Sequence, residues 1–498
     1  MAKDVIVVVQ RDALPKEKET LDFLLISTTG ARPVAVYRDL AEVKAVYGDD
    51  GPTPNSKIVR KVTTLINQGK TTLADDLVGK FKIVGFDPPS ASAAQPATFT
   101  IDCPAGKLEQ AIPGKKTIRV KIGGDDNAVI EVSAASKLTD AADIIALLNG
   151  TSFTKGGKTY TGVFDMTSKV TFTATEDGAT DTIPEIVEVY TDEKMSEKVA
   201  DFTPTVDFTN GSDTVSAPDN LIKTIQQFQA DEDNDWYFFM TDRDEPEYVK
   251  ALAKFAEASE PTEAELGAGV EDHRKFYMGQ TSDIDFADNT ARAAVIYTEE
   301  KYLNEEPDAS YAGNVGPFYP RSVTWKFKRP QDGNASTSEG TKLITLPKLT
   351  EAQRNKLADN NVNYLTEEYK RQYVKEGVCL NGEFIDVVLG GDWIAKRMRD
   401  LLYDILLANP KINYGDDGFG LVATAVLQAL AEASDEEHNI IARDQESKAG
   451  IFTVVIPKYS ESTETQRRNR QMPDITWEAL LAGAIHSVKV KGVLRASL

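Results

Sequence analysis

Both ends of the chain carry the hydrophobic pattern of a β-strand. Near the start, Val5–Val9 is an apolar run, and near the end Val488 and Val490 alternate with lysines. Because successive side chains of a strand point to opposite faces, the second pattern predicts a strand over Ile485–Leu494. Chain ends fray unless other backbone holds them. Each strand therefore needs a partner, either in its own sheet or at the sheet edge of a neighbouring copy.

The region from residue 21 to 88 has the alternation of strands and helices typical of an α/β fold. "FLLISTTG" and "FKIVGF" predict buried strands, and "DLAEVKAVYG" and "SKIVRKVTTLINQG" predict amphipathic helices that end at glycines. We interpret 21–88 as the first part of an α/β body that follows an N-terminal arm, 1–20.

The pattern changes after the linker "DPPSASAAQPA", where the chain becomes rich in Thr, Val and Gly. "KKTIRVKIGGDDNAVIEVSA" predicts a hairpin in which Ile118, Val120 and Ile122 share one face. One helix, "AADIIALLNG", interrupts the strands. These patterns predict an inserted β-rich domain over residues 97–210.

An α/β pattern returns after a second polar linker. "NLIKTIQQFQ" and "PEYVKALAKFAEA" predict helices, and "DWYFFMTD", "KFYMGQTSD" and "RAAVIYTEE" predict strands. This alternation indicates parallel or mixed pairing in one sheet, so we interpret 218–345 as the second part of the same body. Within it, Trp325 and Phe327 in "SVTWKFKRP" alternate as strand residues do.

Residues 346–498 predict a C-terminal α+β domain. Thr350 and Gln353 have the spacing of a capping box at a helix start. "GGDWIAKRMRDLLYDILLANP" predicts a long helix ended by Pro410, "GFGLVATAVLQALAEASDEE" predicts another, and "GIFTVVIPKY" predicts a strand. The fold class is thus a multidomain α+β protein: an α/β body with a β-rich insert and a C-terminal α+β domain.

Composition excludes several classes of protein. The net charge is −22, from 56 basic and 78 acidic residues. Nucleic acids and membrane surfaces attract basic proteins, so we expect neither as a partner. The two cysteines, Cys103 and Cys379, lack metal-ligand spacing and fit a reducing compartment. The N-terminus is not typical of a signal peptide, and no apolar window has the roughly twenty residues of a membrane span.

The candidate chemical motifs are weak. "GKT" at Gly69–Thr71 resembles the end of a phosphate-binding loop, but Thr64 stands where that motif requires glycine. Asp242 and Asp244 follow a strand and could bind a divalent ion, although they also fit the start of the next helix. The three histidines, His273, His438 and His486, have no metal or triad spacing. We therefore predict no catalytic residue, metal site or cofactor, with a metal-dependent hydrolase using the Asp242/Asp244 loop as an alternative.

Several segments, in order, resemble the C-terminal part of contractile phage tail sheath proteins, in a long-chain branch of that family. They are "DASYAGNVGPFYPRSVTWKFK", "LTEAQRNKLADNNVNYLTE", "NGEFIDVVLGGDWIAKRMRDLLYDILLANPKINYGDDGFGLV" and "MPDITWEALLAGAIHSVKVKGVL". "DWYFFMTD" with "KFYMGQTSD" is similar to the family's middle body. The resemblance covers residues 221–498 well and the first eighty residues more loosely.

The resemblance implies a structural subunit and not an enzyme. Such subunits form stacked rings that polymerise helically around a tail tube, and contraction drives the tube through the bacterial envelope for genome ejection. The implied partners are copies of the same chain, the tail tube protein, and the baseplate and tail terminator proteins. The implied location is the virion, after assembly in the host cytoplasm. The insert would face outward, because an inner position would collide with the tube.

The resemblance also implies two groups of functional residues. Terminal arms would exchange strands with adjacent subunits, and the candidates are Val5, Val7, Val9, Val488, Val490 and Val493. The C-terminal domain would grip the tube through a helix that buries Trp393, Ile394, Leu401 and Leu402, or through the "RRNR" cluster. The basic candidates are Lys396, Arg397, Arg399, Arg467, Arg468 and Arg470, for which solvated surface charge is an equal alternative. A self-assembling shell or surface-layer protein without a contractile role is the alternative function.

Overall fold

A computed structural model describes residues 23–37, 40–48, 56–68, 81–123, 128–179, 187–267, 272–318, 323–333 and 342–489. The chain divides into two compact units. Unit 1 comprises Met1–Pro88 and Ile222–Leu498, and unit 2 comprises Pro89–Leu221. The five segments given above, and the outward orientation of the insert, stay predictions.

The strands are, in chain order, β1 (Phe23–Ser27), β2 (Arg32–Tyr37), β3 (Phe81–Gly85), β4 (Pro96–Asp102), β5 (Lys107–Ile112), β6 (Thr117–Ile122), β7 (Ala128–Ser133), β8 (Leu138–Asp140), β9 (Ser152–Lys155), β10 (Lys158–Phe164), β11 (Lys169–Asp177), β12 (Val187–Tyr190), β13 (Thr205–Thr209), β14 (Phe238–Thr241), β15 (Phe276–Thr281), β16 (Ala293–Tyr297), β17 (Asn363–Glu368), β18 (Arg371–Val374), β19 (Phe452–Val455) and β20 (Thr476–Ala479).

The α-helices are α1 (Leu40–Tyr47), α2 (Lys57–Ile66), α3 (Ala141–Ala146), α4 (Ala217–Asp231), α5 (Pro246–Glu257), α6 (Glu263–Gly267), α7 (Pro307–Val315), α8 (Glu351–Asp359), α9 (Ile385–Ala408), α10 (Asp416–Ala433) and α11 (Glu464–Asn469). Short 3₁₀ helices cover Glu300–Glu305, Gly316–Phe318 and Tyr459–Glu461. None of the helices in the described ranges combines the length and the apolar composition that crossing a membrane requires.

Unit 1 is built on an eight-stranded mixed sheet, in the order β18-β17-β16-β15-β14-β1-β3-β2. The inner strands pair in parallel, and β2 and β18 are antiparallel to their neighbours. The pairing of β1 with β14 joins the chain before unit 2 to the chain after it, with Phe23 opposite Phe238. The mixed pairing in one sheet agrees with the strand–helix alternation of the sequence.

Helices cover both faces of this sheet, which explains its continuously apolar strands. Phe238 belongs to the core that holds α2 and α7, whereas the next residue, Phe239, packs its ring against Phe255 of α5 with centroids 5.6 Å apart. The α2–α7 contact is close, because a Cβ on Gly313 would lie 2.1 Å from the carbonyl oxygen of Leu65. Glycine is therefore required at that crossing.

A buried ion cluster joins α2 to the start of α7. Lys61 is fully buried, and its Nζ lies 2.7 Å from Asp308 Oδ1 and 3.2 Å from Glu306 Oε2. Burial raises the pKa of Glu306 to about 7. Burial alone would lower the pKa of Lys61, but the Asp308 and Glu306 carboxylates raise it. A buried charge with such partners ties two helices together, because losing one partner leaves the other desolvated and unpaired.

Unit 2 contains a five-stranded antiparallel sheet, β13-β4-β11-β10-β9, with a three-stranded sheet, β12-β6-β7, and the pair β5-β8. Its inward residues alternate along each strand, as in Ala97, Phe99 and Ile101 of β4. The predicted hairpin is confirmed as β6 and β7, in which Ile118 lies opposite Val132. All three sheets and α3 contribute to one apolar core.

The strand predicted through Trp325 and Phe327 is wrong. Trp325 is buried and packs its ring edge-on against Tyr311, with centroids 5.1 Å apart. Phe327 lies in a turn with φ of 64° and is partly exposed. Alternation over three residues is too short to distinguish a strand from a turn whose first residue is buried.

Candidate assembly surface

Helix α9 connects the sheet of unit 1 to the C-terminal region, which we define as Phe384–Lys489. Its first turns bury Ile385 and Leu389 in the sheet's core. Further along, Trp393 and Ile394 pack with α10 residues such as Val426 in a separate apolar cluster. The helix stops at Ala408, two residues before Pro410, because proline cannot continue the backbone ladder. One helix thus spans two cores.

A buried carboxylate, Asp392, fixes α9 on the sheet. It accepts hydrogen bonds from Tyr237 Oη, from Arg274 Nη1 at 2.9 Å, and from both terminal nitrogens of Arg292, with Nη1 to Oδ1 at 3.2 Å. Burial alone would lower the pKa of Arg292, but the facing Asp392 carboxylate raises it. Sequence reasoning missed this cluster. The sequence did contain a signal for it: Asp392 stands next to Trp393 on the apolar face of α9, and Arg274 and Arg292 come just before the buried strands β15 and β16.

The basic candidates on α9 have different environments. Arg397 forms an ion pair with Glu432 of α10, with Nη2 to Oε1 at 3.0 Å, and Arg399 pairs with Asp272. Lys396 is the most exposed of the three and lies 3.5 Å from Asp400. Arg397 and Arg399 therefore hold α9 to its own chain.

The "RRNR" cluster lies on the short helix α11, which a capping box of Thr463 and Gln466 starts. The Arg467 guanidinium donates to the Ser462 carbonyl at 2.7 Å and stacks over the Tyr459 ring. Arg468 is largely exposed, with Glu464 3.4 Å away, and Arg470 ends the helix in the left-handed conformation, also exposed. The two candidate clusters lie on separate helices.

The end of the described chain forms a small, incomplete sheet. β19 pairs antiparallel with β20, placing Phe452 opposite Ala479. The backbone then pairs briefly with an upstream segment, through Ala442 N to Leu480 O at 2.7 Å and Ala482 N to Ile440 O at 2.9 Å. Two strands alone are marginal in water. No third strand of the described residues extends this pair, so a further strand could pair at its edges.

The described residues Ile485–Lys489 form no strand within the single copy. The predicted terminal strand and its pairing with a neighbouring copy stay predictions. Its backbone has no strand partner within the described part of the chain. His486 anchors the segment instead: its Nε2 lies 2.9 Å from Thr324 Oγ1, and its ring meets Phe384 edge-on with centroids 4.7 Å apart. On either side, Ile485 and Val488 are 76% and 78% exposed. The other arm candidates, Val5, Val7, Val9, Val490 and Val493, lie outside the described residues.

The C-terminal region leaves many large apolar side chains in solvent. Among the described residues from Phe384 onward there are fifteen: Phe384, Tyr403, Leu406, Leu407, Leu421, Leu427, Ile451, Val455, Ile456, Tyr459, Trp477, Leu480, Leu481, Ile485 and Val488. We call these the exposed apolar set. On α9 the spacing of Tyr403, Leu406 and Leu407 places three of them on one helical face. Single exposed apolar residues are ordinary, but adjacent ones such as Tyr403, Leu406 and Leu407 are typical of a surface that other protein covers.

The alternative metal loop is engaged within the chain. Asp242 accepts hydrogen bonds from Thr28 N at 2.8 Å and Thr28 Oγ1 at 2.7 Å, and Asp244 forms an ion pair with Lys57. Helix α5 begins with Pro246 after Glu245, as the helix-start interpretation predicts. In the part of the chain that the structure describes, no three His, Cys, Asp or Glu side chains are grouped to hold a metal ion. Gly69–Thr71 lie outside that part.

No family model and no curated protein matches the chain. Solved structures do. The anti-feeding prophage baseplate matches at 13% identity over 57% of this chain and 76% of that one, with a TM-score of 0.40. A sheath tail protein from Desulfitobacterium hafniense matches at 11% identity over 88% and 90%, with a TM-score of 0.39. The sheath complex of an extracellular contractile injection system, in its contracted state, matches at 13% over 55% and 75%, with a TM-score of 0.37.

Proposed function

We propose that the chain is a structural subunit of a contractile tail sheath. Copies polymerise as stacked helical rings around a tail tube, and contraction drives the tube through a bacterial envelope. Assembly takes place in the host cytoplasm, with a baseplate and a tail terminator at the two ends of the virion's sheath. The ordered sequence segments support the family, and the exposed apolar set with its incomplete sheet carries the assembly role.

The terminal arms are the proposed links between subunits. In this proposal the open edges of β19–β20 receive strands from neighbouring copies, through Val5, Val7 and Val9 at one end and Val488, Val490 and Val493 at the other. Each net backbone hydrogen bond contributes about 0.5–1.5 kcal/mol, so a few per arm hold a mesh of many copies together. Contraction then rearranges rigid bodies from a metastable state, with the arms as hinges.

We assign the proposed tube contact to those basic candidates that are most exposed to solvent. Arg468 on α11, Arg470 just after its end, and Lys396 on α9 extend into solvent. Arg397 and Arg399 are held by Glu432 and Asp272, which makes them weaker candidates.

Charge reversal tests this contact. Replacing Arg467, Arg468 and Arg470 by Glu should block assembly on an acidic tube surface, measured by co-sedimentation with purified tubes. The matched control reverses three exposed lysines of unit 2, Lys107, Lys137 and Lys169, and should leave co-sedimentation unchanged. Unchanged assembly of the arginine variant would remove the α11 cluster from the proposal.

Negative-stain electron microscopy of the purified protein at high concentration tests the function itself. We expect hollow tubes with a wide bore, and we expect a variant that ends at Ala484 to remain monomeric. Flat or closed arrays would favour the shell or surface-layer alternative. Monomers alone would reopen the enzyme alternative, which predicts metal-dependent hydrolysis lost in Asp242→Ala.

A further inference from the structure

The β17–β18 hairpin has an unusual two-residue loop. Glu368 lies opposite Arg371, which leaves Tyr369 and Lys370 to connect the strands. Their φ angles are 50° and 62°, so both are left-handed. Two-residue loops with positive φ at both positions are type I′ turns, which strongly favour Asn-Gly because other side chains are strained there. A tyrosine followed by a lysine is therefore a costly choice.

Nothing within the described part of the chain compensates for that cost by burial, because Tyr369 is 98% exposed. A second strained aromatic residue lies along the same hairpin. Phe327, with φ of 64°, donates its backbone N–H to the Val374 carbonyl at 3.0 Å and packs its ring 5.2 Å from that of Tyr373. Backbone strain persists where the surrounding structure imposes it, and it concentrates at functional positions.

The surface formed by this hairpin and the adjoining segment 326–329 has an excess of basic residues, whereas the whole chain is acidic. Within the hairpin and the two residues after it the charges balance, with Lys370, Arg371 and Lys375 against Glu367, Glu368 and Glu376. The basic excess comes from the segment hydrogen-bonded beside it, which carries Lys326, Lys328 and Arg329. The chain as a whole has a net charge of −22. Another copy of the same chain therefore offers a predominantly acidic surface to this locally basic surface.

We propose that the hairpin tip, Tyr369 with Lys370 and Arg371, is a contact point that docks on an acidic surface of a second copy. The contact is separate from the terminal arms. Tyrosine and arginine are the residues that most often dominate interface energies, and a tight hairpin presents them with little conformational freedom left to lose. The inference rests on the proposed function only in requiring copies that assemble.

The test replaces the tip by the sequence that its backbone favours, Tyr369→Asn with Lys370→Gly. The variant monomer should be more heat-stable, with a Tm about 2–4 °C higher, because the strain is relieved. Its assembly, followed by light scattering and electron microscopy, should require about tenfold more protein. A structural turn residue could not give both results, since any defect in folding would lower the Tm.

Met166→Gly is the matched control. Met166 is also left-handed, with φ of 70°, and is 83% exposed in a turn of unit 2. This substitution should raise the Tm as well but leave assembly unchanged. A second variant, Lys370→Glu with Arg371→Glu, should lose assembly, and salt should weaken wild-type assembly because it screens the contact.

Three outcomes would overturn the proposal. The Asn-Gly variant could assemble as readily as the wild-type protein, or it could lose only its binding to tubes. The wild-type protein itself could also stay monomeric. If the wild-type protein forms flat arrays and the Asn-Gly variant does not, the sheath function is rejected but the hairpin contact is supported. The two proposals can therefore fail separately.

Discussion

Unit 2 and the C-terminal region differ in how many large apolar side chains they expose to solvent. Unit 2 exposes four large apolar side chains among its described residues, whereas the shorter stretch Phe384–Lys489 exposes fifteen. Both have buried cores, so the difference is not one of folding. Unit 2 buries most of its large apolar side chains within one copy, and the contrast is the basis of our proposal that neighbouring copies cover the C-terminal region.

The outer faces of the two regions explain the contrast. The strands of unit 2 carry threonine and serine outward, and these hydroxyl groups pair across strands, as in Ser152 with Thr161 at 3.0 Å and Thr154 with Thr159 at 3.3 Å. Such a face is satisfied by its own hydrogen bonds and by water. By contrast, β20 exposes Trp477, and the chain beyond it exposes Leu480 and Leu481.

Breaking the core of unit 2 should have the largest effect on stability and none on assembly. Phe172 is fully buried and lies 5.1 Å, ring to ring, from Phe153. Phe172→Ala should destabilise unit 2 by about 3–5 kcal/mol, because it leaves a cavity. Calorimetry should show one transition moving to lower temperature while the protein still assembles. Loss of assembly would mean that assembly by the C-terminal region depends on the stability of unit 2.

Breaking the α9–α10 ion pair should have an intermediate effect. Arg397 and Glu432 are both largely buried, so Arg397→Ala should cost about 1.5–3 kcal/mol in the C-terminal region, measured by chemical denaturation. Its neighbour Lys396 is the control: Lys396→Ala should change stability by no more than about 0.5 kcal/mol, since its ion pair with Asp400 is exposed. Equal effects would contradict the assignment of Arg397 to internal packing.

Changing the exposed apolar set should have the smallest effect on the monomer and a clear one on assembly. Leu407 is 82% exposed, so Leu407→Gln should alter monomer stability by no more than about 0.5 kcal/mol. If Leu407 is buried between copies, assembly weakens by about 1.5 kcal/mol, roughly tenfold in concentration. Val163→Thr, an exposed apolar position of unit 2, should leave assembly unchanged. A Leu407→Gln protein that assembles normally would remove this helix face from the interface.

Local patterns predicted much of the fold. The capping box at Thr350 is confirmed, with Gln353 Oε1 accepting from Thr350 N at 2.9 Å, and the long helix does bury Trp393, Ile394 and Leu401. These features depend on residues within a few positions of each other. Leu402, which was also expected to be buried, is only half-buried. The sequence pattern could not predict this, because it does not reveal how far α10 extends alongside α9.

Long-range features could not be predicted in the same way. The partners of Asp392 lie 100 residues or more away in sequence, and only the folded sheet brings Arg274 and Arg292 to it. The strand predicted from Ile485 needs a partner strand, and the described residues provide none. The left-handed tip at Tyr369 was missed because its residues are not the ones that type I′ turns favour.

Hydrogen exchange of the protein below and above its assembly concentration tests the central claim most directly. In the monomer, the amides of Ile485–Lys489 should exchange freely, because no strand among the described residues pairs with them. In the assembly they should become protected, while the amides of unit 2 exchange at the same rate in both states. Equal exchange of Ile485–Lys489 in monomer and assembly would contradict the claim that neighbouring copies complete the C-terminal region.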